Sequence, residues 1–495
     1  RRQRQMCIRD RHNLDLLAGY EINSKESDGL GTTISNFARW DKPEVNNGVV
    51  YQSMGGSNST TRIVSYITRA NYDYDNKYYL GASWRTDGSS RLARENRWGN
   101  FWSLSGAWRV SSESFMKPLQ NWLSDLKLRV SYGVNGTLPS SYYGYMGLSS
   151  LTSNYNDNPG ITQSQLENKE LTWETNYNFN SGIDLGFFDN RLNVTFEYYV
   201  RTTKNLLYSR PLSLATGFSS YLANIGKLQN KGYELEIRST NIETKDFRWS
   251  TSLNLGHNAN KILKLDGDLK QVTSGTSIHK VGLPYSTYYM IEFAGIDPVD
   301  GEPMFYKNTT DENGNLNKET TKDPRSAEKV ILQCADPTIT GGLGNSISYK
   351  WFDLNFNVNF SFGAWNYDGS ASKLEHGGDG TLNIPIYYRK RWQKEGDETS
   401  IERFVVGRSI SMTDYATTRR LYSGDYVRLK NLTFGFTLPK TWTRKVGIDN
   451  IRLYASGNNL LTWSAYDYID PESGSSPSWD TPPMRTYTFG LEVKF

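Results

Sequence analysis

The chain has 495 residues, too many for one ordinary soluble domain, yet only 37% are hydrophobic and the mean hydropathy is −0.63. No run of about 18 apolar residues occurs, which excludes helical membrane spans. Two cysteines, Cys7 and Cys334, and four histidines make neither a disulfide framework nor a zinc cluster. The net charge of +4 belongs to residues 1–11, RRQRQMCIRDR; without them basic and acidic side chains are equal, 51 each, so no nucleic-acid partner is indicated. Those eleven residues lack the alternation that begins at Leu14 and resemble translated adapter read-through, so they are set apart as a non-native tail from a domain spanning 12–495. Without a signal peptide and beginning mid-strand, the chain is expected to be a piece of a longer protein.

In chain order, period-2 alternation predicts about fourteen strands. The first covers 12–22, followed by 61–73 and 77–87, where Tyr78, Leu80, Ala82 and Trp84 share a face. Strands 100–109 and 124–134 come next. In 173–185 the apolar Trp173, Tyr177, Phe179, Ile183 and Leu185 oppose Glu174, Asn176, Asn178, Asn180 and Asp184. Strands 191–201, 229–240 and 246–257 precede the clearest pair, 340–350 and 352–363. There Phe352, Leu354, Phe356, Val358, Phe360 and Phe362 alternate with Asp353, Asn355, Asn357, Asn359 and Ser361. Strands 425–437 and 449–459 follow. The last stretch, RTYTFGLEVKF, places Tyr487, Phe489, Leu491, Val493 and Phe495 on one parity and ends on an aromatic ring. An apolar edge of that kind invites aggregation unless it closes a barrel, so these five residues are assigned to a barrel-closing strand.

The gaps between strands alternate long and short when counted back from the C-terminus. A soluble sandwich has no reason to sort loops by parity, whereas outer-membrane barrels carry short periplasmic turns and long extracellular loops. The predicted fold is therefore an all-β, antiparallel transmembrane β-barrel, its apolar parity toward lipid and its polar parity lining a wide lumen. Aromatic content of 14%, with 33 tyrosines and 14 tryptophans, suits interfacial girdles. It suits equally the surface of a secreted β-rich carbohydrate-binding or adhesion protein, which stands as the alternative.

Several stretches resemble the SusC/RagA family of TonB-dependent outer-membrane transporters. They are FWSLSGAWRVSSESFMKP (101–118), WLSDLKLRVSYGVNG (122–136), LTWETNYNFNSGIDLGFFDNRLNVTFEYYVRTTKNLL (171–207) and NIGKLQNKGYELEI (224–237). Further on come ADPTITGGLGNSISYKWFDLNFNVNFSFG (335–363), SGDYVRLKNLTFGFTLP (423–439), IRLYASGNNLLTW (451–463) and the terminal RTYTFGLEVKF (485–495). The resemblance implies a barrel of about twenty-two strands, of which this chain supplies about fourteen, with the plug domain and the TonB-contacting segment outside the sequence. It also implies import of a glycan oligosaccharide or a peptide, a SusD-like surface lipoprotein as partner, outer-membrane lipid around the barrel, and energy from the TonB complex through the missing N-terminal region.

No residue pattern marks an enzyme. Carboxylates such as Glu167, Glu170, Glu174 and Asp184 sit mostly on the polar parity of strands. No G-x-S-x-G elbow occurs, and GGLG at 341–344 lacks the helix of a phosphate loop. It reads instead as backbone freedom where a strand begins. In the long loop, Asp297, Asp300 and Asp311, with Glu302 and Asn313, could offer oxygens to a structural calcium ion, but turns use the same residues. Trp365, Tyr367, Tyr387, Tyr388, Trp392 and Trp463 are candidates for stacking on the sugar rings of a substrate or packing on a partner. Trp365 and Trp463 also lie where an aromatic girdle would fall.

Overall fold

The computed structural model describes residues 2–8, 11–39, 41–42, 44–156, 158–265, 267, 269–311, 314–378, 383–407, 415–466, 469–473 and 482–495. Its main feature is a fifteen-stranded sheet in which hydrogen-bonded neighbours follow chain order. All fourteen expected strands are present, and Arg2–Ile8, from the tail set apart on composition, pairs antiparallel with the strand after it. The chain falls into two compact units, 1–109 with 128–181 and 200–228, and 110–127 with 182–199 and 229–495.

In the first unit, His12–Phe37, Gly48–Tyr74, Tyr78–Ser89 and Trp98–Arg109 pair antiparallel in sequence order. The turn between Tyr74 and Tyr78 is tight because Asp75 and Asn76 take left-handed backbone, φ 54° and 52°, which Asp and Asn tolerate best among non-glycine residues. The gap 23–60, expected as a loop, is instead mostly hairpin. His12–Phe37 runs 26 residues, on the order of 85 Å, whereas a membrane crossing needs only about 9–11. Its outer part is rich in Ser, Thr, Gly and Asn, so alternation vanishes there while backbone pairing continues from Lys25↔Thr61 out to Phe37↔Gly48, with one irregularity at Thr33/Ile34. At the rim, Leu92, Phe101, Leu171 and Trp173 form a small core, and Trp173 Nε1 donates to the Arg97 carbonyl at 3.0 Å.

In the second unit, Phe247–Lys264, Ile339–Tyr349, Phe352–Phe362, Tyr426–Thr437, Asn450–Ser464 and Thr486–Lys494 form an antiparallel series. Odd-numbered residues of the Phe247–Lys264 and Ile339–Tyr349 strands and even-numbered residues of Phe352–Phe362 carry the bulky apolar groups. Phe352, Phe362, Tyr349 and Trp249 are exposed, as are Leu453, Trp463, Tyr487, Phe489 and Leu491. Exposed aromatics cluster toward strand ends: Phe352 stacks on Phe436 at 4.9 Å and Trp122 on Phe187 at 6.0 Å. In the first unit, Tyr78 stacks on Trp108 and Tyr66 on Trp98, both at 6.3 Å. Bulky apolar side chains outside and amides inside invert the arrangement of a water-soluble sheet.

The Tyr426–Thr437 strand carries a β-bulge at Lys430. Asn357 pairs with Asn431 but Val358 with Leu429, so parity changes sides at this lysine. Below it Asn431 and Thr433 share the amide face; above it Arg428 and Tyr426 do.

The long gaps are not bare loops. The 265–338 segment contains a four-stranded sheet completed by Lys329–Cys334 and a three-stranded one built on Phe293–Ile296. Trp365–Tyr367 pairs with Leu421–Ser423, and Tyr288, Met290 and Tyr367 pack a core between these segments.

Candidate functional site

On the polar face of the second unit, three rows cross the sheet. Asn254, Gly342 and Asn359 are register partners, as are Ser252, Gly344 and Asn357, and Ser250, Ser346 and Asn355. The amide row continues sideways: Asn431 donates to Asn458 at 3.0 Å, and Asn458 to Thr486 at 3.1 Å. Nearer the short turns, Arg452 grips Asp353 with two hydrogen bonds, 3.2 and 2.7 Å, reaching across Gly435. A Cβ there would lie 2.2 Å from Asp353 Oδ1, so glycine is what lets the pair close.

Cavities of about 580, 420 and 330 Å³ follow one another along these rows. The outermost is lined by Glu197, Glu234, Glu236 and Tyr426 among others, the innermost by Arg238 and Asn193. Arg238 Nε is ion-paired with Glu236.

Above this face the outer loops are tied by buried charge. Arg428 is 2% exposed and holds Asp470 at 2.5 Å, Glu472 at 2.8 Å and Thr462 at 3.0 Å. The bulge residue Lys430 adds an ion pair to Glu472 at 2.8 Å. A second knot joins Arg419 to Glu402, which is fully buried, and Arg420 to Glu375 at 3.2 Å. Burial alone would lower the Arg419 pKa, but Glu402 and its neighbours more than offset that and leave it raised. Asp368 accepts from the Tyr466 hydroxyl at 3.0 Å, and Tyr466 stacks on Tyr422 at 3.7 Å. Burial first, and the adjacent carboxylates second, push the phenols of Tyr387, Tyr388, Tyr422 and Tyr466 upward.

The stacking candidates are part of this knot. Tyr387 donates to Glu375; Tyr388, 1% exposed, donates to Glu402 at 3.0 Å. A ring that buried has no face to offer a ligand as the loop stands. Trp392 lies against Gly301 and donates through Nε1 to the Pro298 carbonyl at 3.0 Å, pinning the turn that carries Asp297 and Asp300. Trp365 packs on the Tyr288 core, away from the girdle position the sequence allowed, whereas Trp463 is 58% exposed at a strand end. Of the calcium candidates, Asp297 and Asp300 both bind Lys322 Nζ, at 2.6 and 2.7 Å, and this ammonium holds both carboxyls below their usual range. Glu302 binds Arg403 at 2.6 Å. Asp311 caps its own turn through the Asn315 backbone N–H at 2.8 Å, and Asn313 lies outside the described residues. Among the described residues, no group of three His, Cys, Asp or Glu side chains is placed to hold a metal ion. The terminal strand hydrogen-bonds to Asn450–Ser464, with Tyr487 68%, Phe489 83% and Leu491 63% exposed.

A β-sheet with amides inside, bulky apolar groups outside and structured loops at one end is a membrane barrel wall. Residues 8–460 match the family model for the TonB dependent receptor-like β-barrel, and the chain belongs to that family. It is of the SusC/RagA type and resides in the bacterial outer membrane. TonB-dependent receptor P3 of Formosa agariphila is 33% identical over 523 residues, covering 98% of this chain and 51% of that protein. TonB-dependent receptor SusC of Bacteroides thetaiotaomicron is 31% identical over 461 residues, 88% of this chain and 44% of that protein. The solved structure of the RagAB peptide transporter superposes with a TM-score of 0.85 at 29% identity, covering 100% of this chain and 54% of that one. The chain thus spans about half the length of the relatives it matches.

Proposed function

We propose that the chain supplies barrel wall and extracellular loops to an importer of oligomeric nutrients, glycan oligosaccharides or peptides. The observation that carries this reading is the amide face with its run of cavities, set beneath an outer layer held by buried ion pairs. Such a wall can pass a polar oligomer while lipid is kept on the other face. Release from the outer site would draw on the TonB complex through the part of the protein not contained in this sequence. A SusD-like surface lipoprotein would cap the outer loops, and Phe495 would end the strand that closes the full barrel. None of these residues is asked to make or break a covalent bond. The reading is tested by deleting the gene in its source bacterium and following uptake of labelled oligosaccharides and peptides. Loss of uptake that is mimicked by a protonophore supports it. Unchanged uptake, together with a folded protein that needs no detergent, would support the secreted binding protein instead.

A further inference from the structure

In the loop between Phe247–Lys264 and Ile339–Tyr349, a lysine and a buried amide meet on one carboxylate oxygen. The segments 307–309 and 317–319 pair as a short antiparallel ladder. Lys307 N–H donates to the Glu319 carbonyl at 2.8 Å, Asn308 N–H to that of Asn317 at 2.9 Å, and Asn317 N–H to that of Thr309 at 2.9 Å. Lys318 therefore stands on the segment that faces Asn308. Its Nζ is ion-paired with Glu292 Oε2, and Asn308 Nδ2 donates to that same Oε2 at 3.2 Å. Lys318 Nζ also lies 4.9 Å from the centre of the Tyr306 ring. Glu292 follows Ile291, which packs with Phe305 in a small apolar core. Asn308 is 1% exposed, and its Oδ1 is buried with no hydrogen-bond partner among the described residues. Buried amide oxygens of that kind are rare, and an asparagine kept only to brace the loop would pair both ends of its carboxamide.

We propose that Lys318 and Asn308 join in an isopeptide bond, with Glu292 as the proton carrier. Glu292 Oε2 takes one proton from the Lys318 ammonium, which leaves Nζ a neutral amine and a nucleophile. No hydrogen bond holds Oδ1, so the carboxamide can turn about its Cβ–Cγ bond. Turned, it presents Cγ to Nζ and Oδ1 to the protonated carboxyl, which polarises the carbonyl. Nζ then attacks Cγ. As the tetrahedral adduct collapses, the carboxyl passes its proton to Nδ2 and takes one from Nζ. The Cγ–Nδ2 bond breaks, ammonia leaves with the last proton as ammonium, and Glu292 is a carboxylate again. One ammonium and one carboxamide become one secondary amide and one ammonium ion, with no change in oxidation state. The fold holds amine, carboxylate and amide together, a placement that replaces encounters between separate molecules. The Lys318 side chain is 51% exposed and that of Glu292 30%, which gives ammonia a way out to solvent. The bond forms once, within the chain, and closes residues 308–318 into a covalent ring. It goes beyond the importer reading and does not depend on it.

The test is tandem mass spectrometry of tryptic peptides from the full-length protein, purified in detergent. Lys307 and Lys322 bound the reporter peptide, with Lys318 inside it. The expected product is peptide 308–322, uncut at Lys318 and lighter than its sequence mass by one ammonia, about 17 Da. It should give no fragment ions from backbone breaks between 308 and 318. A succinimide, as at the Asn313–Gly314 step, loses the same mass but leaves Lys318 open to trypsin. Lys318→Arg restores the full mass and a cut at position 318. Glu292→Gln, in protein that still shows the heat-modifiable form of a folded barrel, lowers the cross-linked fraction at least about tenfold. If that variant does not fold, the time course of the wild type decides: the cross-linked fraction should grow faster at about pH 9 than at about pH 7, because more of the lysine is neutral. Recovery of wild-type peptide 308–318 at its full mass, even after incubation at the higher pH, would overturn the bond. Undiminished cross-linking in folded Glu292→Gln would remove the proton carrier and with it the proposal.

Discussion

Arg428 concentrates more consequence in one side chain than any other residue of the second unit's rim. Its guanidinium is desolvated and answered by two carboxylates and a hydroxyl, a fixed fork that lysine could not reproduce. Removing it takes the guanidinium from Asp470 and leaves Glu472 with Lys430 alone. Breaking a buried pair from one side costs about 3–5 kcal/mol, and that cost falls on a loop, so Arg428→Ala should free the 469–473 segment while the sheet stays folded. Limited proteolysis should show faster cleavage within residues 469–473 with an unshifted barrel melting temperature; equal cleavage rates would mean the latch is not the segment's anchor. This residue could not be picked out in the sequence. Its partners lie 42 and 44 positions away, and no local periodicity encodes a pairing across that distance. The same holds for Arg420 and Glu375, 45 apart.

Among elements, the strands were the readable part and the bulge and loops were not. Alternation is visible only where the two faces meet different solvents. Lipid against amide gives Phe352–Phe362 its pattern, but the outer half of the His12–Phe37 strand is exposed on both faces, so its sequence does not alternate. At Lys430 the run YVRLKNLTFGFT offers plausible apolar residues on both parities, so nothing marked the extra residue. Deleting Lys430, the extra residue of the bulge, should set Leu429 directly beside Asn431 and leave Arg428 and Tyr426 on the amide face. The expected result is a barrel that still reaches its heat-modifiable, compact form on a gel; failure to assemble would place the extra residue elsewhere. The loop knot has a pH signature of its own. Phenols raised in the folded state keep their protons where the unfolded chain has already lost them, above the ordinary tyrosine value of about 10. Their contribution is fully present below that value and is lost as pH rises past it. Alkaline titration should thus release the 363–425 loop before the sheet, followed by tyrosinate absorbance and protease sensitivity; simultaneous loss of loop and sheet would contradict it.

For the molecule as a whole, the account depends on which medium each face meets. Family, barrel class and outer-membrane residence were legible because they leave a mark on every strand. The run of cavities was not, because what Gly342 and Gly344 leave open appears only once Asn254 and Asn359 are set on either side. The central claim is that leucine, phenylalanine and valine of one parity meet lipid while asparagines of the other meet water. It is tested most directly by spin labels on single cysteines from Asp353 to Phe360, in the reconstituted protein with Cys7 and Cys334 replaced by serine. Labels at Leu354, Phe356 and Val358 should be accessible to oxygen and shielded from a water-soluble nickel chelate, and labels at Asn355, Asn357 and Asn359 should show the reverse. Equal accessibility to the chelate on both parities would contradict a membrane barrel wall.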